Sequence, residues 1–154
     1  MRYRICKQFE IESGHMLSKH PGRCRFPHGH SRRVEIVLSS HTLDAADMVC
    51  DFKAVKIAVA ECLDDFDHAM AINSTDQLRP VMEQSGQRLV IFENQDPTTE
   101  VLARYVYTHV ETIIRNTDTV RNGQGLEYRF PPGLSLDRVR VWETSTSWAE
   151  YGTD

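Results

Sequence analysis

The 154-residue sequence contains no run of lysine or arginine, and its formal net charge is −4 at neutral pH. General nucleic-acid binders need a basic stripe that faces the phosphates, so we expect no nucleic-acid partner. No stretch is apolar enough over sufficient length to span a membrane, and the N-terminal residues begin a strand pattern rather than a hydrophobic signal core. We therefore expect a cytoplasmic protein that makes no membrane contact.

Spaced cysteine pairs, internal repeats and low-complexity linkers are also absent from the sequence. Without Cys-X-X-Cys spacing, and in a reducing compartment, the four cysteines are expected to remain thiols. We expect Cys6 and Cys62 to be small buried hydrophobic residues and Cys50 to be structural. At 40% hydrophobic and 26% charged residues, the chain is long enough for one core, which predicts a single domain over residues 1–154.

Hydrophobic periodicity predicts an α+β arrangement. Alternation predicts strands over Tyr3 to Glu12 and Ser31 to Ser40, which we expect to pair antiparallel. Helical spacing of apolar residues predicts a helix from Phe52 to Phe66, with Asp51 capping its first turn. Another strand is predicted at Leu136 to Thr144, where Val139, Val141 and Glu143 share one face.

The middle of the chain is less regular. Asn73 to Gln87 is interpreted as irregular, and Arg88 to Phe92 as a short strand. A second helix is expected to start at Asp96-Pro97, with the proline in its first turn. Thr117 to Leu134 contains several turn signals and is interpreted as a long connection.

A histidine cluster is the strongest chemical signal. His28 and His30 are two residues apart, so both imidazoles leave the same face of an extended strand. If the two N-terminal strands pair, His15 can complete a three-nitrogen site, which is the ligand count of a catalytic zinc ion with one open position. His20 is a competing ligand, but its place beside a Pro-Gly turn favours a loop position. Cys24 would lie just outside the site, where a nearby cation favours its thiolate.

Two further motifs have both a chemical and a purely structural interpretation. In Asp67-His68, a carboxylate beside an imidazole can prepare it for proton transfer near neutral pH. The same pair is also common at helix ends as capping and dipole partners. Glu143 follows two predicted core residues at a strand end, where it is either a solvated terminus or a ligand group.

Six short motifs follow one another along nearly the whole chain. They are Phe9 to His15, Cys24-Arg25-Phe26-Pro27-His28-Gly29-His30, Asp51-Phe52, Asp67-His68, Pro97-Thr98-Thr99-Glu100 and Glu143-Thr144. In this order they resemble the 6-pyruvoyltetrahydropterin synthase family. The three residues between Cys24 and His28 resemble the bacterial 6-carboxytetrahydropterin synthase branch, which serves queuosine biosynthesis, more than the animal enzyme.

The resemblance implies roles for individual residues. It implies that His15, His28 and His30 hold zinc and that Cys24 is the proton acceptor. It assigns His68 and Glu143 to a charge relay with Asp67 beside them. It also implies that Glu143 grips the pterin ring, and that Thr98 and Thr99 line the same pocket with Glu100 assisting.

The reaction implied by the resemblance starts from 7,8-dihydroneopterin triphosphate. Zinc would act as a Lewis acid on the side-chain oxygens, and triphosphate would leave. The carboxy branch also cleaves a carbon–carbon bond and releases acetaldehyde. A carboxylate such as Glu143 suits the adjacent N–H donors of the pterin ring.

The implied fold is the T-fold (tunnelling fold), an antiparallel β-sheet with two α-helices packed on one face. A small sheet has open edges, which joining of subunits edge to edge would cover. We therefore expect a homo-oligomer. The resemblance implies a trimeric barrel, with pairs of such barrels stacked into a hexamer and active sites at subunit borders.

The sequence departs from the family pattern after His30. The family usually has an aromatic residue two positions on, whereas this chain has Ser31-Arg32-Arg33. These arginines either bind phosphate or face solvent or an interface, and we expect the latter. Insertions around residues 74–87 and 117–134 could reshape substrate access. Alternatives are therefore a 6-pyruvoyltetrahydropterin synthase, a side-chain-cleaving aldolase relative, or a non-catalytic zinc-binding assembly protein of the same fold.

Overall fold

Two long N-terminal strands form the centre of a six-stranded sheet. In the computed structural model, which describes residues 1–153, β1 (Tyr3–His15) and β2 (His28–Ser40) pair antiparallel along their whole length. The predicted antiparallel pair is thus confirmed. Both strands extend beyond the predicted ranges and reach the histidines, because Ile11, Ser13 and His15 continue the same buried alternation.

The other strands complete the main sheet and add a separate hairpin. They are β3 (Met70–Asn73), β4 (Leu89–Phe92), β5 (Thr119–Arg121), β6 (Glu127–Arg129), β7 (Ser135–Thr144) and β8 (Ser147–Gly152). The main sheet has the order β4-β3-β1-β2-β7-β8, and β5 pairs only with β6. The pairings of β3 with β1 and with β4 are parallel, while the remaining pairings are antiparallel. The open edges of the main sheet are β4 and β8.

Three helices accompany the sheet: α1 (Phe52–Phe66), α2 (Arg79–Gln84) and α3 (Thr99–Asn116). α1 has the predicted bounds, and the Asp51 side chain accepts a hydrogen bond from Lys53 N at 2.8 Å. α3 begins after Thr98, whose hydroxyl accepts from Val101 N. Pro97 therefore precedes the N-cap, and its predicted place in the first turn is wrong.

The core lies between one face of the main sheet and the helices α1 and α3. Its buried residues include Val34, Ile36 and Leu38 of β2 and Val139 and Val141 of β7. α2 is short and buries only Met82, which joins a small second cluster with Met16 and Ile72. The fold class is as expected, with α2 as an additional short helix and the parallel pairings at one edge.

Cys50 and Cys62 are buried as expected, whereas Cys6 is exposed and its predicted burial is wrong, because it faces away from the helices on β1. The connection from residue 117 to 134 contains the β5–β6 hairpin. No helix within residues 1–153 combines the length and apolar character needed to cross a membrane.

Candidate metal centre

Three histidine side chains converge where β1 ends and β2 begins. His15 pairs directly with His28 in the strand register, and His30 pairs with Ser13, two residues before His15. The ring centroids of the three imidazoles are 4.5–5.1 Å apart. Strand alternation, as the sequence indicated, brings these three residues to one place.

Glu143 joins the histidines from the end of β7. Its Oε1 lies 3.2 Å from His15 Nε2 and 3.0 Å from His30 Nε2. One ligand atom from each of the four side chains lies within 4.8 Å of the others, so the group could hold a metal ion. Of the two interpretations of Glu143, the structure favours the ligand group over the solvated strand end.

The orientation of the imidazoles suits a cation. His15 Nδ1 lies 2.8 Å from the carbonyl oxygen of Pro97, and His28 Nδ1 lies 2.7 Å from that of Phe26. A carbonyl only accepts, so both Nδ1 atoms carry the hydrogen and both Nε2 atoms keep a lone pair. Within residues 1–153, the buried Nε2 atoms of all three histidines have no partner with hydrogen-bond geometry. This donor set fits zinc.

Electrostatics at the cluster point the same way. Burial is the main reason that the pKa of His30 is lowered to about 4, with Arg32 adding to the effect. At neutral pH the site therefore presents a neutral His30 to a cation, beside the Glu143 carboxylate.

Arg32 is buried beside this cluster, and the prediction that it faces solvent or an interface is wrong. Its side chain is 1% exposed and lies with His30 and Val34 on the core-facing side of β2. Its neighbour Arg33 lies on the other face, where the guanidinium stacks over Trp142 at 4.4 Å from the ring centroid. Strand alternation, the same signal that placed the histidines, could have revealed the burial of Arg32.

The Asp67 and His68 side chains are in contact, and Asp67 is also the C-cap of α1, so the chemical and the capping interpretations are both compatible with the structure. His68 Nδ1 donates to Asp67 Oδ2 at 2.9 Å, and Asp67 Oδ1 accepts from Glu12 N at 2.8 Å. The hydrogen bond from Glu12 is the main reason that the pKa of Asp67 is lowered. His68 and His30 both line a cavity of about 450 Å³, whereas Asp67, His15, His28 and Glu143 are not among its lining residues in the described part of the chain.

Cys24 lies in a short 3-10 turn, Arg23–Arg25, and is half-buried. It is not among the residues that line the cavity beside His68 in the described part of the chain. Its segment is fastened by Asp96, which accepts hydrogen bonds from Ser18 Oγ at 2.7 Å and Lys19 N at 2.8 Å. Sequence reasoning missed Asp96, because the residue carried no motif beyond its place before Pro97.

The predicted substrate residues at the start of α3 occupy three different environments. Thr98 is the N-cap, Thr99 is buried with its hydroxyl against Arg32, and Glu100 is exposed on the first turn. Within residues 1–153 of a single chain, none of the three lines the cavity beside His68. A single chain therefore does not bring these three residues to the cavity that His68 lines.

Comparisons with known structures agree with the fold. An uncharacterized protein from Wolinella succinogenes aligns over 100% of this chain and 99% of its own, with a TM-score of 0.76 and 21% identity. The 6-pyruvoyl tetrahydropterin synthase of Caenorhabditis elegans aligns over 100% of this chain and 97% of its own, with a TM-score of 0.66 and 17% identity. At these identities the similarity shows the T-fold alone.

Sequence comparisons extend this result. A protein named 6-carboxy-5,6,7,8-tetrahydropterin synthase from Aquifex aeolicus is 28% identical, over 98% of this chain and 98% of its own. A protein of the same name from Haemophilus influenzae is 26% identical, over 97% of this chain and 98% of its own. The family model described as 6-pyruvoyl tetrahydropterin synthase matches residues 4–154. Because that match spans nearly the whole chain, the protein belongs to the 6-pyruvoyl tetrahydropterin synthase family.

Proposed function

We propose that this protein is a zinc-dependent 6-carboxytetrahydropterin synthase. It converts 7,8-dihydroneopterin triphosphate to 6-carboxy-5,6,7,8-tetrahydropterin, with release of acetaldehyde and triphosphate, in queuosine biosynthesis. The observation that carries the proposal is the cluster of His15, His28, His30 and Glu143. The Nε2 atoms of its three histidines are buried close to one another. The names of the relatives from Aquifex aeolicus and Haemophilus influenzae support the choice of product.

His15, His28 and His30 would hold the zinc ion. When bound, zinc supplies Lewis-acid polarisation of the oxygens on the substrate side chain. The hydrogen bonds from His15 to Pro97 O and from His28 to Phe26 O fix the two rings, so these ligands need no reorganisation when the ion enters.

Proton transfer is assigned to Cys24 and to the Asp67-His68 pair. Cys24 is assigned to accept a proton from the substrate side chain, helped by the cationic surroundings of the loaded site. Asp67 accepts from His68 Nδ1, so the lone pair of His68 Nε2 remains available for a proton at the cavity. The backbone contact from Glu12 N holds the Asp67 carboxylate in position.

Glu143 has two oxygens and is assigned two tasks. Its Oε1 faces His15 and His30, where its negative charge balances the cation. We assign its other oxygen to the N–H donors of the pterin ring and to the proton relay with His68. Among the residues at the start of α3, Thr98 and Glu100 are assigned to substrate contact, whereas the Thr99 hydroxyl already binds Arg32.

Assembly would complete the substrate pocket. The open edges β4 and β8 leave backbone N–H and C=O groups free to pair with another chain. We propose a homo-oligomer joined through these edges, either a trimeric barrel or a hexamer made of two such barrels. Such an arrangement can bring the start of α3 and Cys24 to a pocket shared between chains.

The test is incubation of the zinc-loaded protein with 7,8-dihydroneopterin triphosphate, followed by mass identification of the products. Acetaldehyde and a carboxylated pterin are expected. A pyruvoyl product would replace the proposal with a 6-pyruvoyltetrahydropterin synthase activity. A Cys24→Ala variant should lose turnover while Cys6→Ala, a change at an exposed thiol on β1, should not. A zinc-loaded protein without turnover on this substrate would point to a non-catalytic assembly role.

A further inference from the structure

The guanidinium of Arg32 is a buried charge that the proposed reaction does not use. Burying a charged group is costly unless hydrogen bonds within the protein replace those lost to water. Nε donates to Ser13 Oγ at 3.0 Å and NH1 donates to Thr99 Oγ1 at 3.1 Å. NH2 lies 3.2 Å from Nδ1 of His15. Burial lowers the pKa of Arg32, yet an arginine keeps its charge at neutral pH.

These contacts connect three elements at one metal-binding histidine. Ser13 and His15 belong to β1, Thr99 opens α3, and Arg32 itself lies on β2. The planar guanidinium of Arg32 therefore connects β1 and β2 to α3 next to the His15 imidazole. A lysine, with a single nitrogen on a flexible stem, cannot contact all three partners in one plane.

Arg32 and Glu143 flank the same ring. The guanidinium lies at the Nδ1 side of His15, and Glu143 Oε1 lies at the Nε2 side. Because Pro97 O lies 2.8 Å from Nδ1 and can only accept, Nδ1 carries the hydrogen, and the guanidinium packs against that edge of the ring. The Arg32 guanidinium thus leaves the His15 imidazole little room to tilt or to rotate.

We propose that Arg32 is a positioning residue of the metal centre, which holds the His15 ring so that its Nε2 faces the other ligands. The inference deepens the proposed function, since it rests on the metal site assigned there. Two physical effects of Arg32 on a metal ion have opposite signs. A fixed positive charge repels a divalent cation, whereas a fixed ring orientation favours its binding. The proposal requires that orientation outweighs repulsion.

The zinc affinity of Arg32 variants distinguishes charge repulsion from ring orientation. It is measured by competition with a chromogenic chelator. Arg32→Gln and Arg32→Lys should both bind zinc about 10- to 100-fold more weakly than the unmodified protein, as expected for loss of an outer partner of a ligand. Arg33→Gln, at the neighbouring position on the opposite face of β2, is the matched control and should bind zinc as the unmodified protein does. Unchanged or tighter binding by Arg32→Gln would overturn the proposal, because charge alone would then dominate.

A second pair of variants keeps the proposal testable if the Arg32 variants do not fold. Thr99→Val removes the acceptor for Arg32 NH1 at nearly constant shape, while Thr99→Ser retains it. Zinc binding should weaken in Thr99→Val and recover in Thr99→Ser. Equal zinc affinities of the two variants would contradict the proposed role of the Arg32 guanidinium.

A metal-free measurement makes the inference independent of the proposed reaction. Long-range ¹H–¹⁵N spectra of the zinc-free protein should show His15 in the Nδ1–H tautomer that the Pro97 carbonyl favours, and the His15 ring signals should shift or broaden in Thr99→Val, as the ring gains freedom to tilt, but not in Thr99→Ser. Unchanged His15 ring signals in Thr99→Val would overturn the positioning role. Neither measurement uses the pterin substrate, so the proposed reaction and the role of Arg32 can fail separately.

Discussion

Replacement of Asp96 by asparagine tests how the segment that carries Cys24 is held. Asp96 is 7% exposed, and its Oδ1 accepts from Ser18 Oγ at 2.7 Å and from Asn73 Nδ2 at 2.9 Å. Its Oδ2 accepts from Lys19 N at 2.8 Å. An asparagine retains one acceptor oxygen, so one donor loses its partner and the others lose a charged acceptor. Since hydrogen bonds to charged groups contribute about 1.5–3 kcal/mol, we expect Asp96→Asn to lower the free energy of unfolding by about 3 kcal/mol.

Urea unfolding measures this loss. The slope of the unfolding free energy against urea concentration should stay unchanged. Asp118→Asn, the same chemical change at an exposed position, is the control and should stay within about 0.5 kcal/mol of the unmodified protein. In native-state hydrogen exchange, protection should fall at the amides of Leu17 and Lys19, which hydrogen-bond to Cys24 O and Asp96. A loss below about 1 kcal/mol, with protection at both amides retained, would refute the reasoning.

The stability difference between the unmodified protein and Asp96→Asn should change with pH in one direction. Burial raises the pKa of Asp96, but the hydrogen bonds from Asn73, Ser18 and Lys19 together outweigh it, so the folded pKa is below its ordinary value of 3.8. A depressed pKa gives stability that is fully present above the unfolded value and is lost as the pH falls through the folded value. The difference in stability between the unmodified protein and Asp96→Asn should therefore shrink on acidification below about pH 4.

Three further predictions concern the site and the core. His28→Ala should weaken zinc binding more than about 100-fold, since losing a ligand costs more than losing its outer partner, whereas exposed His41→Ala should leave zinc content unchanged in metal analysis. Asp67→Asn should lower kcat by about 10²- to 10⁴-fold at unchanged zinc content, and unaltered turnover would exclude the relay. Leu38→Ala, at a side chain 1% exposed, should cost about 2–5 kcal/mol in urea unfolding, and Leu126→Ala, at one 56% exposed, should cost far less.

Strong local signals predicted the parts of the fold that follow from a single element. The bounds of α1 follow from apolar spacing together with the Asp51 cap, and β1 and β2 follow from alternation. β3 was not predicted, because Ala71, Ile72 and Asn73 are all buried and show no alternation. Its parallel pairings join distant segments, which local patterns do not encode.

The candidate metal centre was likewise predicted only in part from the sequence. Spacing along two strands was enough to predict that His15, His28 and His30 converge, because pairing and alternation determine where they point. The environment of Arg32 was misjudged, since charge favours solvent and only the contacts of Ser13 and Thr99 make burial acceptable. Alternation along β2 indicates that Arg32 faces the core, but the partners that make this burial acceptable lie 19 and 67 residues away and are not identified by a local pattern.

The register of β1 with β2 makes the length of these strands a chemical constraint. His15, His28 and His30 belong to the same alternation that buries Ile11 and Val34. Inserting one residue between His30 and Val34 would turn either the imidazoles or the apolar side chains to the opposite face. Single insertions within these strands would therefore abolish the core and the ligand set together.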